Sequence, residues 1–362
     1  MRVGILGAGQ LGRMLALAGY PLGLQFVLLD PNPRACGGQL APLVVADFAD
    51  EAALADLAEQ AEVVTFEFEN VPVAALNLLA ARRPVFPGPE ILEVAQDRRW
   101  EKECFQQLAI PTPAHRLVDD PAGLAAAVAA IGLPAVLKTR RLGYDGKGQV
   151  VLRRQDELAA AWAALGGSPL ILEAFVPFER EVSLVAVRGR DGATAFYPLT
   201  ENTHRDGILR LSRVLVDDPL QARAADYASR LLARFDYVGV LAFEFFVLND
   251  DLVANEIAPR VHNSGHWTID GAVTSQFENH LRAIMGWPLG STAATGPAAM
   301  LNFIGELPAS AELLAHPGLH LHAYGKEPAP GRKVGHANLC LPPGTDLQAA
   351  LAGLRRAGLE WD

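Results

Sequence analysis

Residues 135–151 read AVLKTRRLGYDGKGQVV, and this stretch decides the fold. An apolar run, Ala135-Val136-Leu137, ends in Lys138. A loop with glycines at Gly143, Gly146 and Gly148 follows, and Gln149-Val150-Val151-Leu152 resumes a strand-like pattern. The pattern predicts strand, loop, strand. Glycine lets backbone N–H groups turn towards a ligand with no Cβ in the way. Successive N–H groups in such a turn make a nest for anions. A lysine just before the nest adds a full positive charge, so a polyphosphate is the natural guest. The loop is not a Walker A loop, which needs GKS or GKT, nor a kinase loop, which needs GxGxxG. Taken alone, it fits an ordinary Gly-rich hairpin equally well.

Outward from the loop, residues 170–176 form a buried strand carrying one acid, Glu173, and Glu179-Arg180-Glu181 precede another strand over 182–187. An acid at the end of such a strand can accept hydrogen bonds from ribose hydroxyls. Backbone such as 172–176 can read the edge of adenine. His204 sits in the polar stretch ENTHRDG, where a lone histidine is more often structural than catalytic. Upstream, residues 91–108 predict one helix carrying Asp97-Arg98-Arg99-Trp100-Glu101-Lys102, and a second helix over 124–131 stops at Gly132-Leu133-Pro134.

The most informative geometry lies at 240–260, VLAFEFFVLNDDLVANEIAPR. Residues 243–248 and 252–257 predict two strands around Asn249-Asp250-Asp251. A hairpin centred on Asp250 sets Glu244 opposite Glu256, on one face with Phe246, Leu248, Leu252 and Ala254. Two carboxylates facing each other on an apolar face repel, and are costly unless a cation sits between them. Hard oxygen ligands suit Mg²⁺, completed by phosphate oxygens and water. The assignment depends on register, since a one-residue slip sends one acid to the other face. Arg260-Val261-His262-Asn263-Ser264-Gly265-His266-Trp267 follows at once, polar and Gly-containing.

At the N-terminus a buried strand over 3–6 leads into Gly7-Ala8-Gly9-Gln10-Leu11-Gly12, then a helix, then a strand ending at Asp30. This matches the GxGxxG fingerprint with an acid about 20 residues on, and alone predicts a dinucleotide with Asp30 on a ribose hydroxyl. The alternative is that the same βαβ unit holds a different phosphate or only packs tightly. A strand over 62–68 then places Glu67 and Glu69 on one face at its C-terminal end, either where open α/β sheets bind ligands or as solvated acids. At the other end of the chain, Arg332, Lys333 and His336 in a Gly-flanked turn fit an anion site and a plain solvated turn equally well.

Composition bounds the rest. The chain has 362 residues, half of them hydrophobic and 20% charged, which suggests two or three soluble domains. A net charge of −10 argues against a general nucleic-acid binder. No stretch has transmembrane length, and the first residues enter a strand without a signal-peptide pattern. Cys36, Cys104 and Cys340 have no metal or redox spacing and fit a reducing cytoplasm. Only five of the 31 basic residues are lysines, and Lys138, Lys147 and Lys333 sit in functional-looking stretches. Where arginine is the default cation, a lysine marks a need for a compact ammonium.

These residues together resemble the ATP-grasp ligases and, within them, the N5-carboxyaminoimidazole ribonucleotide synthetase family. The resemblance covers nearly the whole chain in order: GAGQLGRM (7–14), TFEFENVP (65–72), GYDGKGQ (143–149), EAFVPFERE (173–181), FEFF (243–246), NEIAPRVHNSGHWT (255–268) and YGKEPAPGRKVGH (324–336). Ala258 departs from the wider superfamily, where many members place asparagine, and matches the synthetase subgroup. The resemblance implies a Rossmann-like α/β domain over 1–95 and an ATP-grasp fold over 96–290, with a lid at about 112–180. A small C-terminal domain over 291–362 would complete it.

It also implies that ATP contacts Arg98, Lys138, Gly143, Tyr144, Asp145, Gly146, Lys147, Gly148, Gln149, Glu173, Ala174, Phe175, Val176, Glu181, His204, Asn255 and Glu256. Glu244 and Glu256 would hold Mg²⁺. The ribonucleotide would meet Gln10, Leu11, Glu67, Asn70, Asn263, Ser264, Gly265, His266, Arg332 and Lys333, with Tyr144, Asp145, Arg260, His266 and Lys333 at the reacting centre. The implied activity is ATP- and bicarbonate-dependent carboxylation of 5-aminoimidazole ribonucleotide in purine biosynthesis, via carboxyphosphate, by a cytoplasmic homodimer that binds neither nucleic acid nor membrane. In this family GAGQLG holds no NAD. The rival readings are a formate-dependent glycinamide ribonucleotide transformylase, an NAD-linked oxidoreductase and a non-catalytic nucleotide-binding module.

Overall fold

The computed structural model describes residues 1–143, 146–359 and 361. Among these, the strands fall into three sheets in chain order. The continuous apolar runs near the N-terminus make β1 (Arg2–Leu6), β2 (Gln25–Asp30), β3 (Leu43–Val45) and β4 (Val63–Phe66), a parallel sheet ordered β3-β2-β1-β4. Strands buried on both faces read as such runs, and Val3, Ile5 and Leu6 are fully buried. The helices α1 (Gln10–Gly19), α2 (Glu51–Gln60) and α3 (Val73–Ala80) alternate with these strands.

Where the sequence predicts one helix over 91–108, the structure has two, α4 (Pro89–Ala95) and α5 (Arg98–Gln107). The break has a local cause. Asp97 caps α5, its side chain accepting from Arg99 N at 3.0 Å, while Gln96 turns back to the carbonyls of Glu69 and Val71. An N-cap competes with continued helix because its own backbone is non-helical.

The second sheet is antiparallel: β5 (His115–Val118), β6 (Ala135–Thr139), β7 (Gln149–Leu152) and β8 (Leu170–Ala174), ordered β5-β8-β6-β7. The deciding stretch is the β6–β7 hairpin, with Lys138 opposite Gln149. The helices α6 (Pro121–Ile131) and α7 (Leu158–Leu165) bury Leu124, Val128 and Ala161 against Leu137 and Leu172.

The third sheet holds β9 (Arg180–Arg188), β10 (Thr194–Phe196), β11 (Thr200–Arg205), β12 (Ile208–Val214), β13 (Gly239–Leu248), β14 (Asp251–Ala258), β15 (Ala298–Ile304), β16 (Leu319–Ala323) and β17 (Lys333–Cys340). The order is β14-β13-β9-β11-β12-β15-β17-β16, with β10 beside β9. Pairing of β12 with β15 makes the strands after residue 298 a continuation of this sheet. Of its helices, α8 (Gln221–Arg234) packs Tyr227 and Leu231 on the β9–β13 face. Beyond a short turn, α9 (Thr268–Gly271), helix α10 (Gln276–Met285) packs Phe277 and Leu281 in one cluster with Leu11 and Leu15 of α1.

The β13–β14 hairpin differs from expectation in an instructive way. Its turn is the two-residue pair Asn249-Asp250, both at positive φ (51° and 57°), so Leu248 faces Asp251 and Phe245 faces Ala254. Two positive φ values suit the twist of a tight hairpin. From such a turn a regular ladder would set Glu244 opposite Asn255. One extra residue, Asn255, bulges instead, and Glu244 faces Glu256. The expected acid pair is present and shares its face with Phe246, which lines the cleft beside it, but not with Leu252 and Ala254. Leu252 and Ala254 pair with Val247 and Phe245 and are buried in the core, because a bulge flips the side-chain alternation beyond it.

Candidate active site

A cleft of about 860 Å³ opens between the β6–β8 sheet and the β13–β14 hairpin, and reaches past Arg260 and His266 to Gln10, Glu67, Lys326 and Lys333. Its floor beside the β6–β8 sheet is ionic. Lys138 Nζ donates to Glu173 Oε2 at 2.8 Å, Lys102 Nζ lies 3.8 Å from Glu173 Oε1, and Arg98 donates to Glu256 Oε2 at 3.0 Å. Burial pushes the Glu173 carboxyl up, but Lys102, Lys138 and Arg98 outweigh it and hold the group at about 2.

The facing carboxylates part in opposite directions. Burial, then the neighbouring Glu256, pushes Glu244 up to about 8. Burial also opposes ionisation of Glu256, yet Arg98 and Lys138 hold it below the ordinary value. The Glu256 side chain is 41% exposed, towards the cleft it lines. Each acid spends one oxygen on the protein: Glu256 Oε2 on Arg98, and Glu244 Oε1 on His262 Nε2 at 3.3 Å. His262 Nδ1 accepts from Ser264 N at 3.3 Å, which leaves the ring proton on Nε2 for Glu244. Both acids line the cleft, and hard carboxylate oxygens of this kind are donors that a divalent cation can share with phosphate oxygens and water.

At the far end, Arg260 grips Glu69 Oε2 through Nε at 3.1 Å and a terminal nitrogen at 2.8 Å. His266 is buried, and burial with nearby cations holds it well below the usual histidine range. His204 pairs with Glu181 at 3.0 Å, and this contact outweighs burial to raise its pKa.

The GxGxxG turn is already filled. Glu67 lies just past the end of β4, and its Oε1 accepts from Gly9 N at 2.6 Å while Oε2 accepts from Gly12 N at 3.0 Å. Asp30 Oδ2 accepts from Ala8 N at 2.8 Å. A Cβ at Gly9 would lie 2.7 Å from Glu67 Oε1. The glycines therefore admit a carboxylate from the chain itself to the positive end of α1. The dinucleotide expectation fails on this geometry, because pyrophosphate would need the place Glu67 holds and Asp30 is committed to the loop. Glu67 and Glu69 do not share one strand face either, since β4 stops at Phe66.

Three family descriptions match the chain in order: a ribonucleotide synthetase preATP-grasp domain over residues 1–96, an ATP-grasp domain over 103–277 and a phosphoribosylaminoimidazole carboxylase C-terminal domain over 298–350. The N5-carboxyaminoimidazole ribonucleotide synthase of Pseudomonas aeruginosa is 58% identical over 352 residues, 97% of this chain and 98% of that protein. The chain belongs to the N5-carboxyaminoimidazole ribonucleotide synthase family. Among solved structures, the synthetase from Thermus thermophilus superposes with a TM-score of 0.94 at 56% identity, covering 99% of this chain and all of that one. The synthase from Aspergillus clavatus, in complex with ADP and 5-aminoimidazole ribonucleotide, gives 0.91 at 32% identity over 98% of both chains. The three-part fold implied by the resemblance is the fold of this ATP-grasp ligase family.

Most positions implied by the synthase resemblance line the one cleft: Arg98, Lys138, Gly143, Gly146, Lys147, Gln149, Glu173 to Val176, Glu181, His204, Asn255 and Glu256 of those expected at ATP, and Gln10, Leu11, Glu67, Asn70, Arg260, Asn263, His266, Arg332 and Lys333 of those expected at the ribonucleotide or the reacting centre. Tyr144 and Asp145 lie outside the described residues. Ser264 and Gly265 are not among the residues that line the cleft. Ser264 is fully buried against Ser183 and His262, and Gly265 packs on Gln276. Gly148 turns its Cα side towards Thr139.

Sequence reasoning gave no site role to Glu101, Lys102, His262 and Lys326, and left Glu69 open between a ligand position and a solvated acid. A signal was present for three of them, Glu101, Lys102 and Lys326. The rare-lysine argument named three of the five lysines, yet all five converge here. Lys138, Lys147, Lys326 and Lys333 line the cleft, and Lys102 contacts Glu173 in its wall. For Glu101 and Lys102 the second signal is helical spacing, since they share the buried face of α5 with Phe105.

Proposed function

We propose that this protein carboxylates the exocyclic amine of 5-aminoimidazole ribonucleotide in de novo purine biosynthesis, using ATP and bicarbonate. The observation that carries the reading is the single cleft joining two chemistries, in a chain 58% identical to a synthase along its length. Lys138 and the Glu244–Glu256 pair stand at one end, and Arg260, Asn263, His266 and Lys333 at the other.

Bicarbonate is a poor electrophile. Its oxygen attacks the γ-phosphorus of ATP as the bond to the ADP oxygen breaks, giving carboxyphosphate. The amine then attacks the carboxyl carbon, phosphate leaves, and the amine proton passes to Asp145 or His266. The chain supplies position and charge rather than covalent chemistry. The Lys138 ammonium and the glycine loop that follows it would hold the polyphosphate, and Arg98 orients Glu256. Glu244 and Glu256 would hold Mg²⁺, and that ion would supply charge neutralisation on the phosphates. Closure of the glycine loop keeps water from the anhydride. The enzyme works in the cytoplasm as a homodimer, a state that sedimentation velocity reads as twice the chain mass.

The test is ADP release with Mg²⁺-ATP and bicarbonate, with and without 5-aminoimidazole ribonucleotide. Turnover that needs both is expected. Turnover only with formate and glycinamide ribonucleotide would move the assignment to the transformylase. No nucleotide turnover with any of them would leave a binding module.

A further inference from the structure

The acid pair of the cleft exists only because β14 carries its bulge, and the residues that hold the bulge lie outside the sheet. β14 is the edge strand of the large sheet, so one row of its backbone groups faces outward. Before the bulge, Ala254 N donates outward to Pro111 O at 2.7 Å. In an unbroken ladder the next outward residues would be Glu256 and Ala258, and Ile257 N would point inward at β13. The extra residue reverses that parity. Ile257 N now points outward and donates to Glu101 Oε1 at 2.8 Å, and Asn255 O accepts from Lys102 Nζ at 2.6 Å. These two consecutive residues of α5 are almost wholly buried, Glu101 at 2% and Lys102 at 0% exposure.

Buried charges on a helix facing a sheet edge are costly unless matched. Here they bind Ile257 N and Asn255 O, two groups that only the shifted register turns outward. In the regular register Glu244 would face Asn255, and Glu256 would turn to the core side beside Phe243. We propose that Glu101 and Lys102 are positioning residues for the cation site: by binding the outward groups of the bulge they lock Glu256 opposite Glu244. The proposal rests on the reading that this acid pair holds a divalent cation.

Mn²⁺ titration followed by electron paramagnetic resonance, in saturating ADP, tests it without turnover. Glu101→Gln keeps an oxygen that accepts from Ile257 N and removes the charge. Glu101→Leu removes both. The register account expects the Mn²⁺ dissociation constant of Glu101→Gln to stay within about threefold of the parent and that of Glu101→Leu to rise about tenfold or more, with urea unfolding showing that both are folded. Equal values for the two variants would mean that Glu101 acts only through its charge, and parental affinity in Glu101→Leu would also overturn the proposal. If Glu101→Leu does not fold, hydrogen exchange in the parent protein decides. The Ile257 amide should be protected like neighbouring core strands, and exchange at the rate of an open edge amide would overturn it. Failure of the parent protein itself to bind Mn²⁺ with ADP removes the cation reading, and the proposal with it.

Discussion

At the scale of single residues, the cleft floor hangs on one carboxylate. Glu173 answers Lys138 at 2.8 Å and Lys102 at 3.8 Å, and Arg98 also acts on it. Its folded pKa of about 2 lies below the ordinary 4.5, so the folded state binds the proton less readily than the unfolded chain. The stability it contributes is fully present above pH 4.5 and is lost as pH falls towards 2. The shift corresponds to about 3 kcal/mol. Glu173→Gln should cost about 3–5 kcal/mol at neutral pH, because it leaves buried ammonium groups uncompensated. Urea unfolding would measure both effects: the parent should weaken steeply below pH 4.5, and the variant should be weaker from the start with a flatter acid limb. A variant within about 0.5 kcal/mol of the parent would show that Glu173 is not the counter-ion argued here. This residue was legible in sequence as an acid on an apolar strand, but its office was not. A ribose acceptor was expected, and the structure engages its carboxylate with lysines.

At the scale of elements, loops from two sheets meet over the cleft. Gly146 of the β6–β7 loop sits at φ +75°, and a Cβ there would lie 3.0 Å from Gly207 Cα in the β11–β12 turn. Gly146→Ala adds about 1–2 kcal/mol of left-handed strain and pushes the two loops apart. It should raise the KM for ATP about tenfold and lower the urea-unfolding free energy by no more than that strain of about 1–2 kcal/mol, and an unchanged KM would mean that the contact is incidental. His280 ties three elements. From α10, its Nδ1 accepts from Val240 N at 3.1 Å and its Nε2 meets Thr65 Oγ1 at 2.9 Å. Burial holds this imidazole at about 3, against 6.5 unfolded. Between those values the unfolded chain binds the proton and the folded one does not, so stability falls as pH drops through the window. His280→Gln can keep both hydrogen bonds without titrating. Between pH 6.5 and 4.5, above the Glu173 range, it should flatten the fall in stability by about 1.4 kcal/mol per pH unit, read by urea unfolding at each pH. Elements were largely readable, since the βαβ unit and both hairpins follow from apolar runs and turn residues. Their registers were less so. The Asn249-Asp250 pair could have signalled a two-residue turn, but the Asn255 bulge depends on α5, a non-local partner that spacing along the chain cannot display.

At the scale of the whole molecule, the sequence suggests three consecutive parts and the structure knits them. The α1 and α10 helices share one apolar cluster, so the parallel sheet and the large sheet have a common core. β15 pairs with β12, and Leu211 of β12 packs with Leu301, Phe303 and Leu339 beyond residue 298. A loosening of composition near residue 290 marks a connection, but it cannot show that the strands on either side rejoin one sheet. The consequence for function is that Arg332 and Lys333 reach the cleft on an extension of the same sheet that carries Glu244 and Glu256, so the two ends of the proposed reaction share one rigid frame. A chain ending at residue 297 would lose β15 from the edge of β12, the Asn302 hydrogen bond to Leu209 O at 2.9 Å, and Ala298 and Met300 from the central cluster. It would expose an apolar sheet edge, which invites aggregation. The expected result is an insoluble product, or a soluble one without native near-ultraviolet circular dichroism, and a single cooperative transition for the intact chain. A shortened chain that stays soluble and monomeric and unfolds cooperatively would show that the last 65 residues dock as a separate unit, and the shared-frame argument for bringing both substrates together would fall.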